Sequence, residues 1–103
     1  MDHKEDKAIT AFSKKIKKAF PGAKVYLFGS RARGDNLVNS DYDFIIVSDY
    51  FNELPMPRRL EKVYEYWDGK YNADILPYTK KEIDIHSKLI TIANKAMQEA
   101  VEI

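Results

Sequence analysis

Two stretches decide how this chain reads: Val25-Tyr26-Leu27-Phe28-Gly29-Ser30 and, with ten residues between, Asp41-Tyr42-Asp43-Phe44-Ile45-Ile46-Val47. Val25 to Phe28 is a short apolar run stopped by glycine. Phe44 to Val47 is a second run, rich in β-branched residues and without helical period, so both are predicted to be buried strands. Gly29 lets the backbone approach a ligand with no Cβ in the way. If Ser30 to Arg33 begin a helical turn, the Ser30 hydroxyl and the amides after it can donate to phosphate oxygens. Asp41 and Asp43 stand two residues apart at a strand start. Their side chains are expected to leave the same face of the sheet, with Cα atoms about 6.6 Å apart.

Two carboxylates so placed repel one another unless a cation joins them. Hard oxygen donors suit Mg2+, which takes one or two carboxylates and completes its shell with water and substrate phosphates. A third carboxylate would allow two ions roughly 3.5 to 4 Å apart, one activating a hydroxyl nucleophile and one clamping a triphosphate. The chemistry such a pattern supports is in-line nucleotidyl transfer with pyrophosphate leaving.

Outward from this segment, Ala8, Phe12, Ile16, Ala19 and Phe20 recur at helical spacing until Pro21-Gly22, which predicts a first helix over 8–20. Lys14, Lys15, Lys17 and Lys18 fall on its other side and read as a solvated face rather than a polyanion contact. Leu60, Val63, Tyr64 and Trp67 mark a second amphipathic helix entered through Pro57, before a turn at Asp68-Gly69. Tyr71 to Leu76 is a third strand followed by Pro77. Thr79-Lys80-Lys81-Glu82 has the form of a capping box opening a last helix through Leu89, Ile90, Ala93, Ala96, Met97 and Val101. The expected order is helix, strand, strand, helix, strand, helix, with no repeat or linker, as one domain over residues 1–103.

A chain of 103 residues can bury one core but has no room for a catalytic domain plus a separate substrate domain, so the acceptor is expected to be positioned by something else. With 45% apolar and 32% charged residues it should fold, alone or as a small homo-oligomer. A net charge of +1 provides no global field for nucleic acid. The absence of cysteine excludes disulfides, thiolate zinc sites and cysteine nucleophiles. No apolar run approaches membrane-spanning length and the first residues form no signal-peptide core, so a cytoplasmic protein is expected.

The stretch Gly29-Ser30-Arg31-Ala32-Arg33-Gly34-Asp35, then Ser40-Asp41-Tyr42-Asp43, closely resembles the signature of minimal nucleotidyltransferases, the MNT proteins of the DNA polymerase beta superfamily: Gly-Ser, ten residues, Asp-x-Asp. The resemblance is strong over the motif and extends to the rest of the chain through length and element order. It implies an α+β fold with a small mixed sheet flanked by helices, one or two Mg2+ ions, and ATP as substrate. Gly29 and Ser30 would lie on the triphosphate, and Asp41 and Asp43 on metal. The family also uses a third carboxylate from a later strand. Asp74 is the choice, since Tyr71 to Leu76 is the remaining strand-like stretch carrying one. Asp68 is the rival, although Trp67-Asp68-Gly69 reads better as a turn.

Each sharp reading has a bland counterpart. Asp41 and Asp43 would otherwise cap a turn. Arg33 fills the Ala-Arg-Gly position of the signature and is a candidate phosphate ligand, but a brace between Arg31 or Arg33 and a neighbouring acid is equally compatible. Asp35 reads as a turn residue. His3 and His86 have no nucleophile or base arranged around them. The tyrosines, with Trp67, belong mostly to the core, and some would suit a protein partner.

MNT proteins commonly act as antitoxins of HEPN ribonuclease toxins, and the resemblance implies transfer of AMP to a toxin tyrosine. This chain has no Arg followed four residues later by His, so it would be the MNT half. The alternatives are a catalytically weak antitoxin that acts by binding, and a nucleotidyltransferase for a small molecule.

Overall fold

Residues 7–34, 41–68, 71–86 and 100–103 are described by a computed structural model. Helix α1 (Lys7–Ala19) buries Ile9, Phe12 and Ile16, spaced by three and four residues, while Lys14, Lys15, Lys17 and Lys18 stay exposed. That division is the stripe expected of an amphipathic helix lying on a sheet.

Among the described residues the sheet has four strands in the order β3-β2-β1-β4, with β3 at one edge. They are β1 (Lys24–Phe28), β2 (Tyr42–Val47), β3 (Ala73–Tyr78) and β4 (Val101–Glu102). β1 pairs antiparallel with β2 and β4, and β2 pairs parallel with β3. A parallel pair requires a crossover, and here it runs through a 3₁₀ turn at Asp49–Phe51 and helix α3 (Met56–Tyr64). Val25, Leu27, Tyr42, Phe44, Ile46 and Ile75 join the helix residues Phe12, Ile16 and Val63 in one core. Phe12 anchors it, with ring centroids 4.6 Å from Phe44 and 5.5 Å from Trp67.

The mixed, helix-flanked sheet agrees with the expected fold class. Several boundaries differ for identifiable reasons. β2 starts two residues earlier than the apolar run, because Tyr42 N donates to Asn72 O (3.0 Å) and extends the ladder. β3 runs two residues later and contains Pro77 rather than ending before it. β3 is an edge strand, and Tyr42 N→Asn72 O and Ser48 N→Tyr78 O show that its even-numbered residues face β2. Pro77 therefore turns its missing N–H outward, where no ladder bond is lost.

α3 is entered at Met56-Pro57 as expected but ends at Tyr64. Trp67 follows in the turn beyond it, its indole N–H on Tyr71 O (2.7 Å). The capping box forms: Thr79 N donates to Glu82 Oε1 (2.8 Å) and Glu82 N to Thr79 Oγ1 (3.1 Å), opening α4 (Lys80–His86). Leu89, Ile90, Ala93, Ala96 and Met97 lie outside the described residues. Val101 is not helical: it pairs with Leu27 on the free side of β1, so a long-range ladder overrides its helical spacing. Among the described residues no helix is long and apolar enough to cross a membrane.

Arg59 ties α3 to the end of β3. It is buried, with Nε on Leu54 O (2.7 Å), Nη1 on Pro77 O (3.3 Å) and a two-pronged contact to the Glu82 carboxylate (2.6 and 3.2 Å).

Candidate active site

Alternation along a strand sends Tyr42, Phe44 and Ile46 into the core and Asp43 and Ile45 to the opposite face of the sheet. On that face Asp43 stands at a register position shared with Phe28 of β1 and Asp74 of β3. The parallel β2–β3 pairing thus brings two carboxylates from residues 31 apart in sequence side by side. They share a side-chain hydrogen bond, and Asp41, just before β2, adds its charge.

The consequence is electrostatic. Partial burial first, then repulsion from Asp74 and from Asp41, and last the bond to Asp74, raise the Asp43 pKa from its ordinary value to about 6. Asp68 is exposed in the connection between α3 and β3 and is not among the groups that act on Asp43. Asp74, the choice made from strand pattern, is the one the fold sets beside it.

Gly29 closes the site on the β1 side. Its φ of 77° is a conformation that glycine adopts readily, and a Cβ there would lie 2.6 Å from Asp43 Oδ2. The glycine was expected to admit a ligand to the backbone, and in the fold it admits the Asp43 carboxylate. Directly after it, Ser30–Arg33 form the short helical turn α2 with Gly29 as N-cap and Gly34 as left-handed C-cap. Within this turn the amides of Ala32 and Arg33 both donate to Gly29 O (3.1 Å each) and that of Gly34 to Ser30 O (3.0 Å). This narrows the expectation that the amides after Ser30 serve an anion, since these three are bonded inside the turn.

The arginines divide. Arg31 is 6% exposed, with its guanidinium carbon 3.8 Å from the centre of the Tyr42 ring. It braces the turn against the start of β2 through an aromatic face. Arg33 is exposed. Asp35, Ser40 and His3 lie outside the described residues, and His86 is the last residue of α4 as described.

Among the described residues no three His, Asp or Glu side chains converge tightly enough to enclose an ion unaided. The donor set nonetheless fits Mg2+, because that ion needs only one or two carboxylates and draws its other ligands from phosphate and water. The like-charge crowding that raises the Asp43 pKa is what a divalent cation would relieve.

The family model for the nucleotidyltransferase domain matches residues 9–98. Two solved structures are similar. One is a candidate nucleotidyltransferase from Sulfolobus solfataricus, 32% identical over 77% of this chain and 70% of that one, with a TM-score of 0.64. The other is also a candidate nucleotidyltransferase, 30% identical over 78% of this chain and 87% of that one, with a TM-score of 0.56. No curated protein matches.

Proposed function

The chain belongs to the nucleotidyltransferase domain family, and from that premise we propose that it is a Mg2+-dependent enzyme transferring AMP from ATP to a hydroxyl of a partner protein, as the antitoxin of a HEPN ribonuclease toxin. The observation that carries the transfer chemistry is the juxtaposition of Asp43 and Asp74 beside the Gly29-Ser30 turn, with Asp41 adjoining.

The residues take these roles. The Ser30 hydroxyl and the amide that opens α2 hold the triphosphate, and Arg33, exposed at the end of that turn, reaches a phosphate oxygen. Asp41, Asp43 and Asp74 hold the metal, which when bound neutralises phosphate charge and lowers the pKa of the attacking hydroxyl. Asp74 takes the hydroxyl proton as the oxygen bonds to the α-phosphorus, the α–β bridging P–O bond breaks, and pyrophosphate leaves. Asp41 and Asp74 are both exposed, so the reacting centre opens outward, as an acceptor carried on another protein requires. The choice of a toxin tyrosine as acceptor rests on the resemblance to MNT proteins.

The test is intact mass spectrometry of a purified HEPN partner incubated with this protein, ATP and Mg2+. An added AMP that is lost with the Asp41→Asn/Asp43→Asn variant supports the reading. An unchanged partner mass, with toxicity still neutralised at a one-to-one ratio, would replace the enzyme with a binding antitoxin.

A further inference from the structure

Among the described residues the outer edge of β3 has no neighbouring strand, yet the backbone on both sides of Asp74 is hydrogen-bonded there. The Tyr64 hydroxyl accepts from Ile75 N (3.1 Å) and donates to Ala73 O (2.9 Å). A phenol carries one donor and free acceptor lone pairs, so one oxygen serves the N–H and the C=O that a further strand would have paired. We propose that Tyr64 is a positioning residue of the transfer site: it stands in for the absent strand and thereby fixes the register and direction of Asp74.

The physical need is local. Asp74 is the second residue of an edge strand that has just emerged from a turn, and it lies beside Asp43, whose negative charge repels it. On its inner side β3 is held by the ladder to β2. Without a hold on the outer side, the start of β3 can bow away from β2 and separate the carboxylates, which relieves the repulsion and spoils the metal site. Tyr64 is the last residue of α3, and Arg59, five residues earlier, grips Pro77 O at the other end of the same edge. The helix therefore holds the strand at two points, and the one nearer the carboxylates is the phenol. On this strand edge Pro77 offers no N–H, and α3 occupies Ile75 N, Ala73 O and Pro77 O, which also guards it against pairing with another chain.

The inference rests on the reading of Asp74 as a metal-site carboxylate. Tyr64→Phe keeps the ring and removes both bonds. With Mn2+ as the probe, followed by electron paramagnetic resonance in the presence of ATP, the variant should bind the ion about tenfold more weakly, while Tyr50→Phe, an exposed phenol on the 3₁₀ turn, changes nothing. In an Asp74→Asn background the same Tyr64→Phe change should have less than about a twofold effect, because the two residues act as one unit. A merely structural role would lower the melting temperature and leave this non-additivity absent. Equal Mn2+ affinity in Tyr64→Phe and the unmutated protein, or an equal loss with and without Asp74, overturns the proposal. Failure of the unmutated protein to bind Mn2+ with ATP strikes the site reading itself and is thereby distinguished. Should Tyr64→Phe not fold, amide exchange at Ile75 in the unmutated protein decides: Mg2+ with ATP should slow it, and unchanged exchange rejects the coupling.

Discussion

Gly29 and Asp43 meet where a side chain would otherwise stand: a Cβ built on Gly29 falls 2.6 Å from Asp43 Oδ2. The Gly29-Ser30 turn and the Asp43 carboxylate are thus one packed unit. Gly29→Ala should cost about 1–3 kcal/mol of stability through its φ of 77° and also displace Asp43, abolishing Mn2+ binding. Gly34→Ala offers the contrast, since Gly34 has a φ of 81° but open space around its Cβ position. It should cost about 1 kcal/mol and leave Mn2+ binding intact. Thermal melts with parallel Mn2+ titrations separate the two, and equal binding losses would show that the Gly29–Asp43 contact is irrelevant to the site.

The raised pKa of Asp43, about 6, gives a pH dependence of known sign. Below its ordinary value the group is protonated folded and unfolded, and contributes nothing. As pH rises, the unfolded chain releases the proton first, so the metal-free protein loses stability between about pH 4 and the folded pKa. Asp43→Asn should remove this deficit, raising metal-free stability above pH 6 by about 1 kcal/mol after solvent screening of a half-exposed group and not at pH 4. Mg2+ with ATP should stabilise the unmutated protein increasingly as pH rises, and not the variant. Melting curves with the same spacing at pH 4 and pH 7.5 would contradict it.

The choice between Asp74 and Asp68 as the third carboxylate has a direct readout. Asp74→Asn should eliminate nucleotide transfer and leave the fold intact, because Asp74 is exposed on an edge strand. Asp68→Asn, in the α3–β3 connection, should keep at least about half the rate, as a substitution away from the reacting groups does. The reverse outcome would refute the placement of the site.

Arg59 supports the fold at a distance from the carboxylates. Its guanidinium bonds hold the Glu82 carboxyl below its usual pKa, the larger influence, against the opposing effect of burial. The pair therefore stabilises at neutral pH, and its contribution disappears as pH falls through the lowered Glu82 pKa. Arg59→Met should cost about 2 kcal/mol at pH 7 and progressively less as pH falls below the ordinary glutamate range. A urea titration series across that range checks it, and a cost independent of pH would mean the packing of the side chain, not its charge, is what matters.

Local pattern determined a large part of this molecule. The stripe of Ile9, Phe12 and Ile16, the strands on either side of the Gly-Ser turn, the entry of α3 at Pro57 and the Thr79–Glu82 capping box each depend on residues close in sequence, so spacing alone reveals them. Gly29, Ser30, Asp41 and Asp43 were legible for the same reason. What joins them was not. The Asp43–Asp74 juxtaposition follows from a parallel register between β2 and β3, and a single sequence carries no signal for register between distant strands. The same holds for Val101, which follows helical spacing yet pairs with Leu27, for Arg31 over the Tyr42 ring, and for the Tyr64 phenol at the β3 edge. Each is decided by which backbone groups and aromatic faces the folded sheet leaves to be satisfied, and those exist only once the chain has closed on itself.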